Sequence, residues 1–173
     1  MQFNVAQLLS GPVGAVRERR VSGSLNGTDA RGETEISGSV EIMRTDRGVL
    51  VRGRLHATVA LECVRCLDQL EETIAVSLEE EYISAHQVSG RLERQALQAD
   101  NLLIDANNLL DLEPALKEYA SLNSPLKPVC RPDCPGLCSR CGADLTRTTC
   151  LCIASEEAEV SGLSSLLAKY RTA

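Results

Sequence analysis

The segment from Cys130 to Cys152 reads CRPDCPGLCSRCGADLTRTTCLC. It holds six of the eight cysteines of the 173-residue chain, is interrupted by proline and glycine, and has too few apolar residues to build a core. Metal coordination or disulfides must therefore fix its backbone. The other two cysteines, Cys63 and Cys66, lie far upstream in a further C-x-x-C motif, so the eight thiols can make two sets of four.

Whether the cysteines bind a metal or form disulfides depends on the redox state of the compartment in which the protein resides. The sequence begins MQFNVAQ, without a basic region, a continuous apolar stretch or a small-residue cleavage site. No apolar run approaches the roughly 20 residues that span a bilayer. We therefore expect a cytoplasmic protein with no membrane contact, in a reducing environment where C-x-x-C pairs more often bind zinc than form cystines. A reduced, thiol-rich loop without metal is the alternative.

Spacing divides the thiols between two zinc ions. Cys138 and Cys141 can close around one ion with Cys150 and Cys152, and Gly142 permits a tight turn after the second ligand. The C-x-C pair is the weaker signal, because adjacent sulfurs on one side are unusual zinc geometry, so one of the two could be spare. The predicted metal ligands are Cys63, Cys66, Cys130 and Cys134 in one set, and Cys138, Cys141, Cys150 and Cys152 in the other.

Alternating apolar residues predict antiparallel strands between Glu35 and Tyr82. The clearest pattern runs from Val49 to Cys63, and residues 73–82 alternate in the same way. Cys63 and Cys66 then lie at a hairpin tip, which is the geometry of a zinc knuckle. A redox C-x-x-C would open a helix, and no helical pattern follows Cys66.

The expected fold class is α+β, mainly antiparallel β as a meander or partly closed barrel, with two short helices and a C-terminal cysteine-rich zinc module. A leucine pattern predicts a helix near 109–122, with Asn108 or Asp111 as its cap and Pro114 in its first turn. Residues 84–102 are read as a loop or short helix. The predicted boundaries are a β domain over 1–127 that includes the knuckle at 63–66, a zinc module over 128–155 and a helix over 156–173.

Charge leaves two kinds of partner open. The net charge is −6, and residues 57–120 carry thirteen acidic against four basic side chains. That balance is poor for gripping nucleic acid through its phosphates and suits a basic partner. In one hypothesis the chain contacts RNA directly; in the other the acidic segment holds a basic protein. The candidate nucleic-acid-binding residues are Arg17, Arg19, Arg20, Arg52, Arg54 and Arg65.

No catalytic constellation is found in the sequence. The two histidines, His56 and His86, neighbour no nucleophile motif, and no phosphate-binding glycine loop occurs. A zinc ion held by four thiolates also lacks the open position that a catalytic zinc needs. We expect a protein that is not an enzyme and infer no small-molecule substrate.

Several motifs in the same order resemble the YceD family of large ribosomal RNA subunit accumulation proteins. They are LECVRCL at 61–67, Asp105 before a leucine-rich helix, PVC at 128–130, DCPGLC at 133–138 and CGADL at 141–145. The resemblance implies a ribosome biogenesis factor that supports normal levels of large-subunit ribosomal RNA, often encoded beside a small zinc-binding ribosomal protein. Its partner would be pre-ribosomal large-subunit RNA or a ribosomal protein. Some members lack the later cysteines, which implies a stabilising role for the second set.

Overall fold

Strands form where apolar and polar residues alternate. The computed structural model describes residues 1–26, 34–99 and 101–152. Its elements in chain order are β1 (Gln2–Asn4), α1 (Ala6–Leu9), β2 (Val16–Leu25), β3 (Thr34–Arg44), β4 (Gly48–Glu62), β5 (Gln69–Ser84), a 3-10 turn (Ala85–Gln87), α2 (Arg91–Ala99), β6 (Leu103–Ile104), β7 (Leu109–Asp111) and α3 (Glu113–Asn123). The predicted helix over 156–173 lies outside the described residues.

The main sheet has the strand order β2-β3-β4-β5-β6. Strand β3 is antiparallel to β2 and to β4, whereas β6 pairs with β5 in parallel over two residues. The neighbours β4 and β5 are joined by residues 63–68, and so short a connection requires antiparallel strands. Strands β1 and β7 form a separate antiparallel pair. The predicted α+β class, with mostly antiparallel strands and a C-terminal cysteine-rich region, is confirmed.

The described chain divides into two compact units. The first unit comprises Met1–Leu61 and Glu71–Leu126, and the second comprises Glu62–Leu70 with the described residues from Lys127 onward. The turn that carries Cys63 and Cys66, which the sequence analysis placed with the domain 1–127, therefore clusters with the cysteine-rich segment.

The main sheet of the first unit does not close on itself within the described residues, so it is not a closed barrel. Among the strands that the structure describes, β2 neighbours β3 alone and β6 forms the other edge. The apolar face is instead covered by helices, because Leu8 of α1 and Leu116 and Ala120 of α3 join the same core as the strand residues Val40 and Leu55.

The helix predicted near 109–122 begins later, at Glu113. Leu109–Asp111 pairs with β1 across more than a hundred residues of sequence, which a local pattern does not reveal. The Asp111 carboxylate accepts the Glu113 N–H at 3.0 Å, and Pro114 lies in the first turn, as expected. The described residues contain three short α-helices: α2 lies in the segment 84–102 that was read as a loop or short helix, α3 corresponds to the helix predicted near 109–122, and α1 was not predicted. None of them has both the length and the apolar composition to cross a bilayer.

The second face of the main sheet carries polar and small side chains. Alternation buries every second residue of β3, β4 and β5 in the core and turns the others to solvent. We call this surface the open face; within the first unit it consists of Glu18, Arg20, Ser22, Ser24, Glu35, Ser37, Ser39, Glu41, Arg52, Arg54, His56, Thr58, Ala60, Glu71, Thr73, Ala75, Ser77, Glu79 and Glu81.

Tyr82 offers a test of the packing of the first unit. Its side chain is 1% exposed, and its hydroxyl has no hydrogen-bond partner among the described residues. A buried unpaired hydroxyl is costly, so Tyr82→Phe is expected to raise the free energy of unfolding by about 1 kcal/mol in a denaturant titration. The matched change Tyr119→Phe removes a hydroxyl that donates to the Glu80 carboxylate at 2.9 Å, and it should lower stability by about 1 kcal/mol. A less stable Tyr82→Phe variant would contradict the packing described.

Candidate metal centres

The first set of four cysteines converges in the second unit. The sulfurs of Cys63, Cys66, Cys130 and Cys134 all lie within 4.8 Å of one another. The Sγ atoms of Cys63 and Cys134 are 3.9 Å apart, and those of Cys66 and Cys130 are 3.7 Å apart. Thiolates arranged as a tetrahedron at about 2.3 Å from one ion lie about 3.8 Å from each other. The sulfurs are therefore spaced to share a metal ion, and all eight cysteines of the chain are free thiols.

A tight turn positions Cys63 and Cys66. The Leu67 N–H donates to the Cys63 carbonyl at 2.9 Å, and the Cys63 N–H donates to the Asp68 carbonyl at 2.9 Å. Leu67 has φ +64°, in the left-handed region that a leucine rarely occupies. The turn thus reverses the chain between β4 and β5 and holds both sulfurs on one side.

The same turn recurs at Cys138 and Cys141. The Gly142 N–H donates to the Cys138 carbonyl at 2.9 Å, and the Cys138 N–H donates to the Ala143 carbonyl at 2.8 Å. Gly142 has φ +71°, at the position that Leu67 takes in the first turn. The two turns are one knuckle geometry used twice. Local sequence does not reveal this repeat, because the leucine of the first knuckle gives no sign of the positive φ that glycine marks in the second.

The second set is Cys138, Cys141, Cys150 and Cys152, whose sulfurs also lie within 4.8 Å of one another. The structure brings the sulfurs of both Cys150 and Cys152 to this set. Cys138 is buried and Cys141 is exposed, whereas the first set has three buried cysteines. Leu70 and Val129 pack against those three. Two clusters of four cysteines that could hold metal ions are therefore present.

Backbone amides favour the thiolate form of one cysteine in each set. The N–H groups of Cys130 and Cys66 lower the pKa of Cys63 to about 6, against the effect of burial. In the second set the N–H groups of Cys141 and Arg140 lower the pKa of Cys138 to about 6. The thiolate is the form that binds a metal, so each set has one ligand ready at neutral pH.

Other cysteines of each set are held as thiols by their neighbours. The Asp68 N–H lowers the pKa of Cys66, but burial and the other thiols of the set outweigh it and raise this pKa to about 12. The neighbouring Cys141 thiol and burial raise the pKa of Cys152 to about 11. Like charges at this spacing repel, so a bound cation would favour the thiolate form of these cysteines.

The loop that carries Cys130 and Cys134 is bound to the first knuckle through Arg65. The Arg65 guanidinium donates to the carbonyls of Pro132 at 3.2 Å and Cys134 at 2.9 Å. The Arg65 carbonyl accepts the Leu137 N–H at 3.0 Å. Gly136 has φ +75°, and a Cβ there would lie 2.9 Å from the Arg65 carbonyl oxygen. Arg65, a candidate for RNA contact in the sequence analysis, thus hydrogen-bonds within the metal-ligand loop.

The candidate RNA-binding arginines of the first unit do not share one surface. Adjacent residues of a strand point to opposite faces, so Arg19 lies on the core-facing side of β2 and Arg20 on the open face. Arg17 also lies on the core-facing side and donates to the Gln7 side chain at 2.8 Å. The remaining two, on the open face beside Arg20, are Arg52 and Arg54.

The fold and the two sulfur sets define the chain as an α+β protein with twin cysteine knuckles. It belongs to the YceD family: a family model described as large ribosomal RNA subunit accumulation protein YceD matches residues 51–167, which include all eight cysteines.

The chain is also similar to individual proteins. A Mycobacterium bovis protein described as uncharacterized is 32% identical over 106 residues, which cover 61% of this chain and 49% of that protein. The Zea mays chloroplastic protein named large ribosomal RNA subunit accumulation protein YCED homolog 1 is 25% identical over 174 residues, covering 86% of this chain and 58% of that protein. The chain thus spans about half the length of these relatives. No solved structure matches it.

The shared knuckle geometry predicts opposite effects of substitution at Leu67 and Gly142. Leu67→Gly removes a left-handed leucine and is expected to stabilise the protein by about 1 kcal/mol. Gly142→Ala places a Cβ at the equivalent position, where nothing lies within 4 Å, and should destabilise by about 1 kcal/mol through φ alone. Thermal unfolding of the protein as isolated checks both changes.

Gly136→Ala is the control, because its Cβ would also meet the Arg65 carbonyl. It should destabilise by about 2 kcal/mol or more. Equal effects at Gly136 and Gly142, or a destabilising Leu67→Gly, would contradict the geometry described.

Proposed function

We propose that the chain binds two zinc ions, one in each set of four cysteines. Four thiolates are a soft donor set that favours zinc in a tetrahedral site, and the sulfur spacings of 3.7 and 3.9 Å in the first set support this assignment. When bound, zinc supplies a cross-link among thiolates and stabilises their charge. Cys63 and Cys66 then hold the loop of Cys130 and Cys134.

Both zinc ions are proposed to be structural. With four thiolates around each ion, no coordination position is left for water or substrate. The chain's own residues act by fixing the backbone, as the Arg65 hydrogen bonds to the loop carbonyls do. We accordingly propose that the protein is not an enzyme and acts through binding.

We infer that the protein supports accumulation of large-subunit ribosomal RNA as a ribosome biogenesis factor by binding a basic protein of the large subunit. The family description and the name of the maize relative support the process. The observation that carries the choice of partner is the charge of the open face, which has six carboxylates and three guanidinium groups. One of these, Arg52, is paired with Glu79 at 2.8 Å. Phosphate binding requires clustered, available basic side chains, which this surface does not offer.

Direct contact with pre-ribosomal RNA is the second candidate. Arg20 and Arg54 flank Ser39 on neighbouring strands, and neither makes an ion pair within the described residues. Two arginines at this spacing could contact adjacent phosphates. The next pair along these strands on the same face is Glu18 and Glu41, whose negative charge opposes contact with phosphates.

Crosslinking in growing cells, with identification of both protein and RNA adducts, tests the partner. We expect adducts with a basic protein of the large subunit. RNA adducts alone, abolished by Arg20→Ser with Arg54→Ser, would contradict the protein partner and favour direct RNA contact. A variant with Arg131→Ser is a matched control, because Arg131 lies outside the open face and faces Asp133 at 3.6 Å.

Elemental analysis of freshly isolated, reduced protein tests the metal. We expect close to two zinc ions per chain. Cys141→Ser should remove one ion and leave the first set loaded, whereas Cys66→Ser should remove the other ion. Ser139→Ala, inside the second knuckle but without a ligand atom, should keep both. Iron in place of zinc, no metal, or loss of both ions from either cysteine change would each contradict the proposal.

A further inference from the structure

The open face presents an uncompensated row of charge. Glu18 of β2 lies directly opposite Glu41 of β3, and Glu41 lies opposite Arg52 of β4. The Arg52 guanidinium donates from Nε and Nη2 to Glu79 of β5, at 3.1 and 2.8 Å. Like charges directly opposite each other on neighbouring strands are unfavourable. Glu18 and Glu41 therefore remain as an unpaired acidic pair in the described part of the chain.

The surface around this pair is a shallow depression with a volume of about 780 Å³. Its lining includes the short side chains of Ser39 and Ser77. The charged groups that line it are the carboxylates of Glu18, Glu41 and Glu79 and the guanidinium groups of Arg52 and Arg54. It is open to solvent, unlike the enclosed apolar clefts that hold small molecules. The open face carries no Phe, Tyr or Trp side chain, and His56 has the one aromatic ring among its residues, so it offers little surface on which nucleic-acid bases could stack.

We propose that the open face docks an extended, lysine- and arginine-rich segment of a protein partner, with Glu18 and Glu41 receiving its basic side chains. This inference rests on the proposed function, because it specifies where the basic partner binds. Charge complementarity selects the occupant: the face has six carboxylates against three guanidinium groups. Residues 153–173 of the chain itself carry three acidic and two basic side chains, which complement this face poorly.

An extended segment suits the spacing of the face. Side chains of an extended chain alternate, so every second residue of the segment can point into the depression. Basic side chains there would relieve the repulsion between Glu18 and Glu41. The serine hydroxyls in neighbouring rows, such as Ser22 opposite Ser37, can donate to or accept from the segment's backbone.

The test is binding of a fluorescent 15-residue peptide of alternating lysine and serine to the purified full chain, followed by anisotropy at low and physiological salt. Glu18→Gln with Glu41→Gln is expected to weaken binding about tenfold. The matched double change Glu72→Gln with Glu118→Gln removes the same charge from exposed sites off the open face, and it should weaken binding less than about twofold. Thermal unfolding of the Glu18 and Glu41 variant should show no loss of stability.

Equal weakening by the two double variants would overturn the proposal, because binding would then follow net charge alone. Failure of the peptide to bind, with binding of a 15-nucleotide single-stranded RNA that is lost on Arg20→Ser with Arg54→Ser, would overturn it in favour of an RNA surface. The peptide-binding experiment and crosslinking in cells can give different answers. Selective peptide binding without a basic protein among the cellular adducts would support the surface and contradict the proposed function.

Discussion

Convergence of four sulfurs on one point is the interaction on which the second unit depends. Residues 127–152 contain few apolar side chains, and the buried cluster of this unit consists largely of its own cysteines, packed against Leu70 and Val129. A segment with so little apolar burial cannot offset the entropy of ordering its backbone. The Asp68 N–H lowers the pKa of Cys66, but burial and the neighbouring thiols outweigh it and raise this pKa, so a bound cation would favour the thiolate form of the whole set. Hydrogen bonds set the geometry, and the charge of a bound cation would stabilise it.

The two knuckles form the same turn with different residues at the left-handed position. Each places the first cysteine so that its N–H and carbonyl close the turn, and each needs a positive φ just after the second cysteine. Gly142 meets this need without strain, whereas Leu67 is left-handed at a cost of about 1 to 2 kcal/mol. The first knuckle tolerates that cost because Arg65, within the turn, is hydrogen-bonded on both sides to the loop of the remaining ligands. The more buried set is thus the one with the more strained turn.

Local periodicity could predict the long strands and the grouping of cysteines, since alternation and C-x-x-C spacing are short-range signals. The strand at Leu109–Asp111 could not be predicted in this way, because it exists through pairing with Gln2–Asn4 at the far end of the chain. The left-handed Leu67 was equally hidden from the sequence. That Arg19 and Arg20 lie on opposite faces of the sheet could be predicted, because adjacent residues of a strand point to opposite sides. The charge of the open face also required the register that aligns Glu18 with Glu41.

Hydrogen–deuterium exchange of the protein as isolated, before and after treatment with a strong chelator, tests most directly whether metal held by the two sulfur sets orders the second unit. The account predicts that chelation removes protection from amides in residues 63–68 and 128–152, including the Leu67 and Gly142 N–H groups, while β2, β3 and the core-facing part of β4 keep theirs. Unchanged protection in the cysteine-rich segment after complete removal of metal would contradict the account, because the backbone would then be held without the ions.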